Sequence, residues 1–253
     1  MVRFYWLMIT LFPVIVYYIV KSSHYIRHPE KYDDEICFAL AQKLISIIRK
    51  KGKISTKVFG RENLPYEGGY VMYSNHQGRY DALGIMGSHP KPCSVVMDSR
   101  RARMPISNEF IGLVRGKRLD KTDLRQQVRI MQEVSEEVKK GKRFLLFPEG
   151  GYTDNHNTLQ DFLPGSFKCA QKAKCPIVPV AIWDSYKPFE GRSLKRVETQ
   201  VHFLEPIFYE TYEGKSTAQI RDMVRSRIEE RMNEIAEKKG NYCTPDDRME
   251  QAI

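Results

Sequence analysis

The segment Ser74-Asn75-His76-Gln77-Gly78-Arg79-Tyr80-Asp81 carries the residue types most suited to chemistry in this chain. A histidine and an aspartate at this spacing meet when the chain between them turns. The aspartate then accepts a proton from one imidazole nitrogen and leaves the other nitrogen free as a base. This is the base-and-orienter part of a triad. The segment offers no evident serine or cysteine nucleophile, so the proton removed would belong to a substrate hydroxyl. Taken alone, the spacing also fits a polar loop in which Asp81 caps the following helix.

Two further groups have chemical potential. Phe147-Pro148-Glu149-Gly150-Gly151 closes the apolar run at 143–147. Its proline and glycines call for a tight turn whose backbone N–H groups can face a ligand. Glu149 could bond a substrate hydroxyl or hold the loop; the plainer reading is a strand-ending turn with an exposed acid. Arg115, Lys117, Arg118 and Lys121 form a basic run, with Arg100, Arg101 and Arg103 upstream. Guanidinium forks match phosphate oxygens, although a solvated basic face has the same composition.

The elements that must position these groups follow from patterning. Strands are expected over 57–60, 70–74, 94–97, 143–147, 177–182 and 199–204. The runs at 143–147 and 177–182 are nearly all apolar, as in strands buried on both faces. A helix fits 122–140, with the apolar stripe Leu124, Val128, Met131, Val134 and Val138. A last helix begins at Ser216, where Gln219 completes a capping box, and carries Ile220, Met223, Ile228, Met232 and Ile235. Strands alternating with helices predict an α/β fold with a largely parallel central sheet flanked by helices. In such sheets chemistry collects beyond the strand carboxyl ends, where the motifs fall.

The amino end differs from the rest. Residues 4–20 carry no charge. As one helix they would span roughly 26 Å at ~1.5 Å per residue, slightly short of a ~30 Å hydrocarbon core. Snorkelling by Arg3 and Lys21 would close the gap. Phe4, Tyr5, Trp6, Tyr17 and Tyr18 suit an interfacial belt, and Pro13 a tolerated kink. A signal peptide or a buried core helix fits less well. Lys21, Arg27 and Lys31 follow the segment while Arg3 precedes it, so the positive-inside rule places the remainder on the cytoplasmic side of the cell membrane. Segment 33–53 reads as an amphipathic helix, equally suited to the headgroup layer or to packing on the domain. The expected organisation is an N-terminal membrane-anchoring helical segment over 1–54, a catalytic domain over 55–240 and a polar tail over 241–253.

Net charge is +10, which points to an anionic surface or substrate. No helix-turn-helix, zinc finger or RNP-like motif supports a nucleic-acid partner. Cys37, Cys93, Cys169, Cys175 and Cys243 are scattered. Their spacing predicts no metal site and no disulfide framework.

Together, Asn75-His76-x4-Asp81 and Phe147-Pro148-Glu149-Gly150, in this order, resemble the glycerolipid acyltransferases, nearest to the lysophosphatidate acyltransferase type. Gly60-Arg61-Glu62-Asn63-Leu64-Pro65 resembles the lead-in to the histidine motif. Gly112 to Arg118 keeps the spacing of the family's second motif, and Val178-Pro179-Val180 resembles its fourth. The similarity covers about 57–208. There are departures: Tyr152 stands where the family has a phosphate-binding arginine, and Asp98 where many members have a lysine, for which Arg100 or Arg101 could compensate.

The resemblance implies transfer of an acyl chain from acyl-CoA or an acyl-acyl-carrier-protein to the hydroxyl of 1-acyl-sn-glycerol 3-phosphate. Glycerol 3-phosphate or another lysophospholipid is the alternative acceptor. A non-catalytic lipid or nucleic-acid binder is the alternative class. In this scheme His76 is the base and Asp81 its orienter. Arg118, with Arg115 or Lys117, holds the phosphate, while Glu149, Gly150 and Asn75 shape the acceptor site. Loop N–H groups near Gly78 or Gly150 are the expected oxyanion donors. No metal or cofactor is implied. The expected partners are the donor, the lysophospholipid and an anionic membrane surface.

Overall fold

Tyr70 to Ser74 are buried without exception, the signature of a strand covered on both faces. The computed structural model describes residues 1–104 and 106–241; Cys243 and the expected tail from residue 242 lie outside them. Seven strands among the described residues form one sheet: β1 (Ile54–Phe59), β2 (Tyr70–Ser74), β3 (Ser94–Asp98), β4 (Lys117–Leu119), β5 (Arg143–Leu146), β6 (Ile177–Trp183) and β7 (Val197–Phe203). The helices are α1 (Val2–Thr10), α2 (Phe12–Arg27), α3 (Asp34–Lys51), α4 (Asp81–Met86), α5 (Ser99–Ala102), α6 (Ser107–Leu113), α7 (Leu124–Lys139), α8 (Lys168–Ala173), α9 (Lys187–Glu190), α10 (Tyr209–Tyr212) and α11 (Thr217–Asn241).

The strand order is β1-β7-β6-β2-β5-β3-β4. From β6 to β4 every pairing is parallel. β7 runs antiparallel to β6, and β1 parallels β7. The sheet is therefore largely parallel with a reversed two-strand flank. All six expected strands are present. β4 was not legible: it is short, only half-buried and basic, so it has no apolar run to betray an edge strand.

Alternation along the central strands feeds two cores. Met72, Leu145, Val178 and Val180 meet α3, α4 and α6 on one face. Val71, Tyr73, Phe144 and Ile177 meet α7, α8 and α11 on the other. Asp33 caps α3 by accepting from the Ile36 N–H at 2.9 Å, and Arg49, Lys50 and Lys51 end it, each matching the helix dipole. Cys37, Phe38, Ala41 and Ile45 of α3 are buried in the core, so this helix packs on the domain. Ser216 and Gln219 form the expected reciprocal cap of α11. α7 corrects its expected stripe. Ile130, Met131, Val134 and Val138 are buried, but Leu124 and Val128 are exposed, because the first turns of α7 border a cavity instead of the sheet.

The amino end also departs from expectation. α1 and α2 are bent by 74° at Leu11, and among the described residues no single helix is long and apolar enough to cross a membrane. Pro13 sits in the first turn of α2, where its missing N–H costs nothing. Arg3 does not snorkel. It is 2% exposed and donates to the carbonyls of Pro188, at 3.1 Å, and Lys195. Phe4 meets Phe189 edge-on, so α1 is tied to α9.

The sheet leaves little room at the head of β2. A Cβ on Gly69 would stand 2.1 Å from the Val138 carbonyl oxygen and 2.6 Å from that of Lys142. Gly69→Ala is expected to cost about 1–3 kcal/mol, read as a lower denaturation midpoint; an unchanged midpoint would contradict this packing.

Candidate active site

β2 ends at Ser74, and its polar loop returns at once into α4, whose first residue is Asp81. The Asp81 side chain is fully buried. Its Oδ2 accepts from the Gln77 N–H at 2.5 Å, the Gly78 N–H at 2.8 Å and His76 Nδ1 at 2.6 Å. A carboxylate only accepts, so Nδ1 carries the proton and Nε2 keeps its lone pair. Asp81 thus turns back onto the loop and orients the imidazole. The capping reading does not hold.

The second motif supplies the walls around the imidazole. Phe147, just past β5, stacks on His76 at 4.2 Å, and Tyr152 meets it edge-on at 4.7 Å. Glu149 Oε2 accepts from Gln160 Nε2 at 2.6 Å. Burial pushes the Glu149 carboxyl up to about 7, against which the Gln160 bond acts only partly. Gly150 adopts φ +71°, and a Cβ there would press on Leu163 at 2.9 Å. Glycine is required on both counts.

His76, Glu149 and Gly150 line one cavity of about 1000 Å³. Phe4, Leu7, Leu11 and Ile15 of the bent amino-terminal pair line it too, with Phe110 of α6 and Met131 of α7. The space is mostly apolar, as suits hydrocarbon, and His76, Asp98 and Glu149 stand on its wall at or just beyond the carboxyl ends of β2, β3 and β5.

Several expected residues are not brought to it. Asn75 is 1% exposed; its amide bonds the Ile182 carbonyl at 3.1 Å and the Ile182 N–H at 2.8 Å. It pins the loop to β6, away from the cavity lining. Arg115 turns toward the α2–α3 connection, reaching the Tyr32 carbonyl at 3.1 Å and Asp34 at 3.5 Å. Lys117 pairs with Glu133 and Glu137 of α7. Arg118, on the opposite side of β4, bonds Asn108 at 2.9 Å. The cations that do line the cavity are Arg79, Arg101, Lys121, Lys168 and Lys172. Neighbours in sequence were read as one patch, but strand alternation and a turn at Arg115 (φ +52°) disperse them. The expected oxyanion donors are also committed: the Gly78 N–H to Asp81 and the Gly150 N–H to the Phe147 carbonyl at 3.1 Å.

Sequence reading missed the support behind the loop. Gln77 accepts from the Ser185 N–H and donates to Asn157 and to the Ile182 carbonyl. Asn157 in turn bonds Asp184, which pairs with Lys187 and Lys239. Burial raises the Asp184 carboxyl, but Lys239, Asn157 and Lys187 outweigh it and hold the group below its usual range. Such a chain joins residues remote in sequence, and no spacing announces it. Among the described residues, no group of three or more His, Cys, Asp or Glu side chains is placed to hold a metal ion.

Comparison with known proteins agrees with this architecture. Residues 55–183 match the family model described as Acyltransferase, and the chain belongs to that family. It is 30% identical over 188 residues to the 1-acyl-sn-glycerol-3-phosphate acyltransferase of Saccharomyces cerevisiae, a match covering 72% of this chain and 61% of that protein. It is 29% identical over 177 residues to the human 1-acyl-sn-glycerol-3-phosphate acyltransferase alpha, covering 68% and 62%. The chain thus spans about three fifths of the length of these curated relatives. The crystal structure of the 1-acyl-sn-glycerophosphate (LPA) acyltransferase PlsC from Thermotoga maritima has the same fold, with a TM-score of 0.73 over 93% of this chain and 94% of that one at 22% identity.

The raised Glu149 carboxyl makes stability depend on pH. In the fold it keeps a proton that the unfolded chain gives up near 4.5, so stability falls as pH rises through the window from about 4.5 to about 7. Glu149→Gln removes this contribution. Relative to the parent chain the variant should gain stability in denaturant titrations as pH rises through that window, then level off; a pH-independent difference would contradict the burial of the charge.

Proposed function

We propose that this chain transfers an acyl group from an acyl thioester to the free hydroxyl of 1-acyl-sn-glycerol 3-phosphate, giving phosphatidic acid. The observation that carries the reading is the His76–Asp81 pair, 2.6 Å apart, facing a largely apolar cavity. The names of the relatives point the same way.

In this reading His76 Nε2 removes the proton from the acceptor hydroxyl as its oxygen attacks the thioester carbonyl. The carbon–sulfur bond then breaks, and the imidazolium returns its proton to the departing thiolate. Asp81 keeps the ring in the productive tautomer and stabilises the imidazolium. Such a base supplies ~10²–10⁴ in rate. Phe147 and Tyr152 fix the ring plane. Glu149 and Gly150 shape the acceptor side, and the donor is acyl-CoA or an acyl-acyl-carrier-protein.

The proposal extends to the membrane. The bent pair α1–α2 acts as the lipid-associated part, and α3, packed in the core, goes with the transferase domain, at the cytoplasmic face of the cell membrane. Tyr5, Ile9, Phe12, Val16, Tyr17 and Val20 are exposed along the bent helix pair. A short bent pair with an exposed apolar face suits insertion into one leaflet, beside Lys21, Arg27 and Lys31 for anionic headgroups. Enzyme and substrate then share a surface.

The test is acyl incorporation by the purified chain in mixed micelles, with labelled acyl donor and a panel of acceptors. Label should enter 1-acyl-sn-glycerol 3-phosphate, and His76→Ala and Asp81→Asn should lower the rate by about 10² or more. Incorporation only into glycerol 3-phosphate would overturn the acceptor, and full activity in His76→Ala would overturn the base. Separately, replacing Ile9, Phe12 and Val16 with serine should release the chain from anionic vesicles in flotation; retained binding would contradict the one-leaflet reading.

A further inference from the structure

Tyr152 is held between two groups. Its ring meets the His76 imidazole edge-on at 4.7 Å. The Arg101 guanidinium lies over the same ring, 4.4 Å from its centre. Arg101 therefore stands one aromatic ring away from the imidazole, on the wall of the same cavity. A guanidinium stacked by its face keeps its N–H edge free for a bidentate anion.

Lys168 and Lys172 of α8 also line the cavity, but among the described residues only Arg101 lies over the Tyr152 ring. Lys121 is paired with Asp98 at 3.0 Å, and the Arg79 guanidinium packs in the same manner as Arg101 but over Phe4 of α1, not over a ring that meets His76. Arg115 and Lys117 are bound to Asp34 and to Glu133 and Glu137. No carboxylate pairs with Arg101 among the described residues. An unpaired cation beside a base, on a cavity otherwise largely apolar, calls for an anionic group on the molecule whose proton the base removes.

We infer that Arg101, held in place by Tyr152, binds the phosphate monoester of the acceptor and sets the preference for a phosphorylated head over a neutral one. This rests on the acyl-transfer reading above. Phosphate groups could also come from coenzyme A. In a glycerol 3-phosphate head, however, the reacting hydroxyl and the phosphate ester sit on adjacent carbons, matching a cation one ring from the base. The phosphates of coenzyme A lie at the far end of a long arm from its thioester. Tyr152 acts here as a positioning residue.

The experiment compares the full-length chain with Arg101→Ala, Arg101→Lys and Tyr152→Phe in neutral-detergent micelles. Acyl transfer to 1-acyl-sn-glycerol 3-phosphate and to 1-monoacylglycerol is measured, with binding of each acceptor followed by titration calorimetry. Arg101→Ala should raise KM and Kd for the phosphorylated acceptor about tenfold or more. It should leave the monoacylglycerol and acyl-CoA values within about twofold, as expected when no contact is lost. Arg101→Lys should recover part of the loss, and Tyr152→Phe, which keeps the ring face, should retain the preference. An unchanged phosphorylated-acceptor Kd, an equal loss for both acceptors, or a rise confined to acyl-CoA would overturn the inference. If the parent chain binds the phosphorylated acceptor through Arg101 but transfers no acyl group, the anion site stands and the proposed function falls. If it transfers normally but Arg101→Ala is indistinguishable, the reverse holds.

Discussion

The Asp81 Oδ2 oxygen ties three separate things together: the N–H groups of Gln77 and Gly78, the His76 imidazole and the first turn of α4. Burying a carboxylate costs heavily unless its bonds are made; here Oδ1 is buried without a partner, and the cost is offset at Oδ2 by three donors that converge only if the loop has this one shape. The loop conformation, the histidine tautomer and the helix start are therefore a single constraint. The rest of the architecture serves it. Asn75 clamps the loop to β6, Gln77 reaches Ser185 and Asn157, and the sheet places Phe147 at the end of β5 beside the imidazole.

The candidate site also draws on the amino end of the chain. The cavity facing His76 is closed by side chains of α1 and α2, which the Arg3 and Phe4 contacts hold against α9. An apolar amino end thus has two surfaces. One lines the cavity, and the other, with Ile9, Phe12 and Val16, is exposed. A hydrocarbon chain and a membrane make the same demand on side chains, so one uncharged stretch suits both proposed uses.

This doubling also marks where sequence reading stopped. Strands buried on both faces were legible because nearly unbroken apolar runs have few other homes, and the ordered motifs placed His76 and Glu149 just beyond strand ends, with Asp81 at the start of the next helix. The bend at Leu11 was not legible, since composition reports how apolar a segment is and not which faces it turns to lipid or protein. Nor was the fate of Arg115, Lys117 and Arg118, where neighbours in sequence point to different partners. The departure at Tyr152 becomes intelligible only in three dimensions, because a guanidinium absent from one loop arrives from α5 over the tyrosine ring. The Gly78 and Gly150 N–H groups look available in sequence and prove to be spent on shaping their own turns.

In the proposed reaction a single displacement has His76 activate the acceptor while the chain itself is never acylated. The most direct measurement is rapid-quench detection of thiol release, with intact-mass analysis of the protein, after mixing with acyl-CoA in the absence of acceptor. No burst of thiol and an unchanged protein mass are expected until 1-acyl-sn-glycerol 3-phosphate is added. A stoichiometric burst accompanied by an acylated chain would contradict the single displacement.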